Sequence, residues 1–185
     1  MKVICISGKA QHGKDSSAGF LKEILEDDGY SVLTTHYGDL VKYICKQFFG
    51  WNGKKDEYGR SLLQHVGTDV VRLQDNDYWV RFIRDVLSFF SSEWDYVLIP
   101  DCRFPNEIEY LMSAGFDVVH LRVERGGFQS PLTEEQQRHP SETALDNTVA
   151  DYYIANNGTL HDLRSALVDW VLEVNGVHQT PIYEQ

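Results

Sequence analysis

Two glycines and a lysine, Gly8-Lys9-Ala10-Gln11-His12-Gly13-Lys14, fall in the spacing G-x-x-x-x-G-K. A turn of this kind at the start of a helix points successive backbone N–H groups inward. It gathers a phosphate at the positive end of the helix dipole. Lys14 then reaches the terminal phosphates. Asp15 stands where Ser or Thr would hold magnesium, and Ser16 follows one place later. A second signal is Tyr96-Val97-Leu98-Ile99-Pro100-Asp101, an apolar run that ends in a carboxylate. In open α/β sheets ligands bind at the carboxyl ends of strands, so Asp101 is a candidate magnesium ligand, directly or through water. Taken alone, such an Asp is more often a helix cap or turn residue. Arg103, two residues on, can present its guanidinium fork to a phosphate. Glu107 reads as a first-turn charge that complements its helix dipole.

More cations lie between residues 38 and 92. Arg60 and Arg72 stand out, because Arg60-Ser61-Leu62-Leu63-Gln64 runs into Val66-Gly67-Thr68, a bend that exposes backbone donors. Gln64 and Thr68 suit the reading of a base or sugar, although an ordinary amphipathic helix explains Gln64 equally well. Lys42 adds a cation beside Asp39, which is placed to cap a helix or to orient an acceptor phosphate. Trp79 reads as core. The stretch from Arg122 to Glu142 carries Arg122, Arg125, Arg138 and His139 and has no clear period. Phosphoryl transfer needs positive charge around the moving group and exclusion of water, and a mobile loop bearing Arg125 or Arg138 meets both needs. A solvated surface loop is the plain alternative. His139 has no evident partner.

These residues need a scaffold that brings them together. Apolar runs near Lys2–Ser7, Ser31–Tyr37, Tyr96–Pro100, Asp117–Val123 and Tyr152–Ala155 alternate with helical patterns. That predicts a five-stranded parallel sheet with helices on both faces. Helices are expected over Ser17–Leu25, closed by Gly29, over Leu40–Phe49, and over Leu160–Val174, opened by Gly158-Thr159. Asp56 to Phe90 reads as two or three helices punctuated by Gly67 and by Asp75-Asn76-Asp77. This is too long for a simple crossover and is a place to hold a second substrate. The tail from Asn175 is expected to be loosely held.

Composition excludes several classes. The 185 residues suit one domain, with 17 Lys and Arg against 28 Asp and Glu and a net charge of -11. No basic stripe is present to release counterions, so nucleic-acid partners are not expected. Cys5, Cys45 and Cys102 give neither a disulfide framework nor a zinc spacing and suit a reducing cytosol. No segment has the length of a membrane span or a signal peptide, so a cytoplasmic protein without a membrane partner is expected.

The phosphate loop from Gly8 to Ser16, Asp101-Cys102-Arg103-Phe104-Pro105-Asn106-Glu107 and Ala150-Asp151-Tyr152-Tyr153-Ile154-Ala155-Asn156-Asn157-Gly158-Thr159-Leu160 together resemble the deoxynucleoside monophosphate kinases of bacteriophages and some bacteria. Tyr37–Lys42 and Leu62–Thr68 fit the same pattern. The resemblance implies a P-loop NTPase three-layer sandwich, a helical monophosphate-binding insertion (38–92), a mobile lid (124–142), and ATP and magnesium (Mg2+) as co-substrates. By that resemblance Gly8, Gly13, Lys14, Asp15 and Ser16 hold the ATP phosphates and the metal, with Asp101 in the metal shell. Arg103 and Arg72 hold substrate phosphate, and Asn157 lies near the adenine. Gln11-His12 replaces the family's usual second small residue in the loop. The expected reaction is ATP plus dNMP to ADP plus dNDP, in the host cytoplasm if the source is a phage. Its partners are small-molecule substrates, and a homodimer is left open. The loop variant is also similar to that of animal-type phosphomevalonate kinase, and the Asn-Asn-Gly-Thr-Leu segment to dephospho-coenzyme A kinase. A regulatory ATPase is the rival from another class.

Overall fold

A computed structural model describes residues 1–175. Five parallel strands, β1 (Lys2–Ser7), β2 (Val32–Thr34), β3 (Tyr96–Ile99), β4 (Asp117–Glu124) and β5 (Tyr152–Ala155), form one sheet in the order β2-β3-β1-β4-β5. In β1, Val3 to Ser7 are all buried, as a strand covered on both faces requires. The register pairs Val3 with Val97 of β3 and with Val118 of β4.

Side-chain alternation along β1 separates two cores. Ile4 and Ile6 pack with Leu21 and Leu25 of α1 (Lys14–Asp27) and with Leu163, Leu167 and Trp170 of α8 (Leu160–Val174). Val3 and Cys5 face the other way. They meet Val80, Ile83 and Leu87 of α4 (Tyr78–Phe89) and Ile108 and Leu111 of α5 (Pro105–Ser113). Between β2 and α4 lie α2 (Gly38–Phe48), α3 (Glu57–Gln64) and a π-helical turn pair over His65–Arg72. This insertion has a third small core of Val41, Cys45, Trp51, Val66 and Trp79, so Trp79 is core as expected. Two short helices, α6 (Glu134–Arg138) and α7 (Pro140–Thr143), precede β5.

The five expected strands are all present, and the differences from expectation have local causes. β2 stops at Thr34 because the chain turns at His36–Gly38 into α2. Asp39 does not cap that helix: it lies inside the first turn. The Asp101 carboxylate, from the end of β3, instead accepts hydrogen bonds from the Tyr37 N–H at 3.0 Å and the Gly38 N–H at 2.8 Å. Gly67 does not interrupt the insertion. It continues within the π-helical stretch, where its missing side chain lets Val41 approach, since a Cβ there would lie 3.3 Å from Val41 Cγ1. The stretch expected as an aperiodic loop contains α6, whose Thr133 hydroxyl accepts from the Gln136 N–H at 3.2 Å, and α7, which starts at a proline. Asp28-Gly29 and Thr159 end α1 and open α8 as expected. All three cysteines are buried and free. Among the described residues no helix is long and apolar enough to cross a membrane.

Candidate functional site

The phosphate loop sits at the carboxyl end of the central strand and runs into α1. Two of its glycines are fixed by geometry. Gly8 has φ +141, and a Cβ there would lie 2.3 Å from the Val123 carbonyl oxygen. Gly13 has φ +102 and would place a Cβ 2.4 Å from Asn156 Nδ2. That buried amide donates to the His12 carbonyl at 2.9 Å, so the end of β5 stitches the loop in place. The sequence signal for Asn156, an Asn at the end of a strand, was readable but pointed to its neighbour. Asn157 is exposed, and its Oδ1 accepts from the Gly126 N–H at 2.6 Å. It lines neither of the cavities described next.

A first cavity of about 430 Å³ opens over the ends of β3 and β2. Lys14, Asp15, Asp101 and Arg103 line its sheet side, and Lys42, Arg60, Gln64, Thr68 and Arg72 line its helical side. The cluster proposed from sequence is thus largely brought together. Lys14 is buried, and its ammonium donates to the Gly8 carbonyl at 2.7 Å and the Lys9 carbonyl at 2.8 Å. Burial, and then the neighbouring Arg103 guanidinium, bring its pKa down to about 8. Lys42 pairs with Asp39 Oδ1 at 2.7 Å, while Asp39 itself lies outside the lining. Arg60 donates to the Lys55 carbonyl at 3.0 Å. Gln64 Nε2 lies 3.4 Å from Ser141 Oγ.

Glu107 is more than a dipole partner. It is buried, its Oε1 pairs with Arg72, and its Oε2 accepts from the Arg103 N–H at 2.6 Å and the Phe104 N–H at 3.0 Å. Burial pushes its pKa up to about 7, against the pull of Arg72. The Arg72 guanidinium also lies 4.0 Å from the Phe104 ring centroid. His36, unmarked by any motif, stands 3.8 Å from Asp15 Oδ1 and 3.4 Å from Asp39 Oδ2. The neighbouring Asp15 carboxylate raises its pKa, and His36 in turn lowers that of Asp15.

The donor set suits magnesium only in part. Among the described residues no group of three or more His, Cys, Asp or Glu side chains is placed to hold a metal. Asp15 and Asp101 offer hard oxygen ligands to the cavity, and Ser16, exposed on α1, does not line it. One or two carboxylates beside a polyphosphate is the usual way proteins hold Mg2+.

A second cavity, of about 320 Å³, lies on the β4 side of the loop, along Gly8, Lys9, His12 and Arg122 to Gly126. Arg125 lines it: its N–H donates to His12 Nδ1 at 3.2 Å, and its guanidinium lies 4.8 Å from the Phe128 ring centroid. Arg138 is not brought to either cavity. Its side chain is 80% exposed and pairs with Glu134 at 2.9 Å, one turn away on α6. His139 does have partners, with Nε2 3.1 Å from Asp69 Oδ1 and Nδ1 2.9 Å from Ser141 Oγ.

Arg103, Ser141 and Glu142 line both cavities and form the wall between them. Arg103 Nη1 donates to the Ser141 carbonyl at 2.8 Å and pairs with Glu142 Oε1. Glu142 Oε2 accepts from the Ala10 N–H of the phosphate loop at 3.3 Å. Sequence reasoning missed Glu142 because nothing in an aperiodic acidic stretch distinguishes a buried carboxylate from a solvated one.

A phosphate loop on the central strand, an α/β/α sandwich of order 2-3-1-4-5 and paired cavities beside the loop define a P-loop kinase fold. Solved structures agree. The APS kinase of Mycobacterium tuberculosis in complex with AMPPNP and APS matches with a TM-score of 0.51 at 10% identity, over 92% of this chain and 96% of that one. Dephospho-CoA kinase from Campylobacter jejuni matches at 0.52 and 14%, over 94% and 97%. Shikimate kinase from Aquifex aeolicus matches at 0.51 and 13%, over 96% and 99%. At such identities the likeness is one of fold.

Sequence relationships are narrower. The family model described as "Deoxynucleotide monophosphate kinase" matches residues 37–167, and the chain belongs to that family. The deoxynucleotide monophosphate kinase of Escherichia phage RB69 is 36% identical over 110 residues, 58% of this chain and 42% of the relative. That of Enterobacteria phage T4 is 35% identical over 119 residues, 63% and 46%. The matched stretch therefore spans under half the length of either relative.

Proposed function

We propose that this chain transfers the γ-phosphoryl group of ATP to a deoxynucleoside monophosphate, giving ADP and a deoxynucleoside diphosphate. The observation that carries the reading is the pair of cavities meeting at Arg103 beside the phosphate loop. A switch that merely hydrolysed ATP needs one cavity. A transferase needs two, opening on the same phosphorus. The second cavity suits the donor, and the first suits the acceptor, with residues 38–92 as its walls and residues 124–142 as the lid. Family membership supports the choice of acceptor.

An acceptor phosphate oxygen attacks the γ-phosphorus as the bond to the β-bridging oxygen breaks and ADP leaves. The protein's part is alignment and neutralisation of charge. The loop N–H groups and Lys14 hold the donor phosphates. Arg103 faces the γ-phosphoryl from the acceptor side, and Arg125 lies on the donor side. Arg60 and Lys42 give the acceptor cavity its positive charge, Arg72 braces its wall through Glu107, and Gln64 and Thr68 are available to the sugar or base. Magnesium, were it bound, would supply positive charge to the transferring phosphates, and Asp15 and Asp101, two carboxylates that line the first cavity with Lys14, are the residues that would hold it. The test is a coupled ADP-release assay over the common NMPs and dNMPs. ADP release that depends on one or more dNMPs is expected. Equal release with and without any acceptor would sink the proposal.

A further inference from the structure

The wall between the two cavities is made by a carboxylate, in a place where the proposed reaction needs an anion of another kind. Glu142 has only 6% of its side chain exposed. One oxygen takes the Ala10 N–H of the phosphate loop at 3.3 Å, and the other takes the Arg103 guanidinium. These are the donors that a phosphoryl oxygen would seek, a loop N–H and an arginine fork. The segment is tethered to the same loop, since the Lys9 ammonium donates to the Glu142 carbonyl at 2.5 Å and pairs with Asp146.

We propose that the seat between the Ala10 N–H and Arg103 is the subsite for the phosphoryl group in transit, and that Glu142 fills it as an internal anion until that group displaces it. The inference rests on the phosphoryl-transfer reading. A carboxylate and a γ-phosphoryl group cannot share these donors without strong repulsion between like charges at contact distance. Bound donor must therefore expel Glu142, and the segment at Pro140–Thr143 must shift with it. While Glu142 is seated, Arg103 is withheld from the γ-phosphorus. Attack by water, which would give ADP, phosphate and a proton, then lacks its charge partner. The carboxylate thus lowers donor affinity and restrains hydrolysis in the same act.

The test compares wild type, Glu142→Gln and Glu142→Asp without any acceptor. It reads the Kd of Mg2+–AMPPNP by calorimetry and the rate of ADP release from ATP. Removing the competing charge is expected to tighten analogue binding about tenfold or more, because the seat is no longer occupied. It is also expected to raise acceptor-free ADP release. A merely structural role for Glu142 predicts the opposite sign. Equal or weaker analogue binding by a folded Glu142→Gln protein overturns the proposal. Should that variant not fold, Glu142→Asp, one methylene too short to span both partners, is expected to shift affinity in the same direction. Unchanged or weaker binding there overturns it equally. Both arms omit the acceptor, so a chain that phosphorylates no dNMP can still show the tightening, and an active kinase can still fail to show it.

Discussion

Arg72 and Glu107 meet in a pair sealed from solvent, and the pair joins the helical insertion to the strand-end segment that carries Arg103. One carboxylate oxygen takes the guanidinium, and the other takes the backbone N–H groups of Arg103 and Phe104. The Arg72 Nη1 also reaches the carbonyl of Asn76 at 3.1 Å and Asn106 Oδ1 at 3.2 Å. Breaking such a pair from one side leaves an uncompensated buried charge, which costs about 3–5 kcal/mol. Arg72→Met is therefore expected to lower the urea midpoint sharply, and a midpoint within error of wild type would refute the pairing.

The same carboxylate sets a pH dependence. Its pKa in the folded chain, about 7, lies above the ordinary glutamate value of 4.5. Between those values the native state binds more protons at this site than the unfolded state does. Its contribution to stability is therefore full below the ordinary value and is lost as pH rises toward 7. The stability of wild type relative to Glu107→Gln is expected to fall by roughly 1.4 kcal/mol per pH unit within that window. Urea unfolding of both proteins from pH 4.5 to 7.5 measures it, and a flat difference would contradict the assignment.

Lys14 is the buried cation at the end of the loop, bonded to the Gly8 and Lys9 carbonyls. Lys14→Ala is expected to retain the fold and to lose about 10²–10³-fold in kcat, the usual cost of one charged donor at a transferring group. Circular dichroism and the ADP-release assay check the two halves of that statement. Full transfer by the folded variant would exclude Lys14 from the reaction.

Two glycines separate geometry from propensity. Gly8→Ala meets the Val123 carbonyl at 2.3 Å and a φ of +141, so it is expected to destabilise by about 1–3 kcal/mol and to abolish binding of an ATP analogue. Gly19, in the middle of α1, has nothing within 4 Å of an added Cβ. Gly19→Ala is expected to stabilise by about 0.5–1 kcal/mol. Thermal melts of both variants decide it.

Asp15→Asn removes one of the two carboxylates proposed to hold magnesium. The half-saturating Mg2+ concentration for ADP release is expected to rise several-fold, with Asp15→Ser intermediate because it restores a hydroxyl at that place. If metal dependence is unchanged in both variants, Asp15 has another role, for which its contact with His36 is the evident candidate.

What the sequence revealed was what local chemistry determines. The buried strands and the phosphate loop were legible because apolar runs and paired glycines have few other uses. Arg72 and Arg103 were legible as cations in the right segments. What escaped was long-range. Asp101 caps a helix that begins 63 residues upstream of it, and Asn156 fixes a loop 144 residues before it. Glu107 reads only as a first-turn charge and Glu142 only as the end of an aperiodic stretch, because the fold alone buries them. Residue type alone makes Arg138 a candidate, but α6 turns it outward to Glu134. Adjacency alone makes Ser16 a candidate, but helical rotation carries it off the site.

The small core of Val41, Cys45, Trp51, Val66 and Trp79 closes on itself, apart from the two cores that clasp the sheet. The segment from Gly38 to Trp79 is therefore a cassette. On the proposed function, its wall on the first cavity can be redrawn for another acceptor while the loop, Lys14 and the strands beneath keep their packing. Acceptor choice and phosphate handling, on that same proposal, rest on separately packed cores, joined by the Arg72–Glu107 pair.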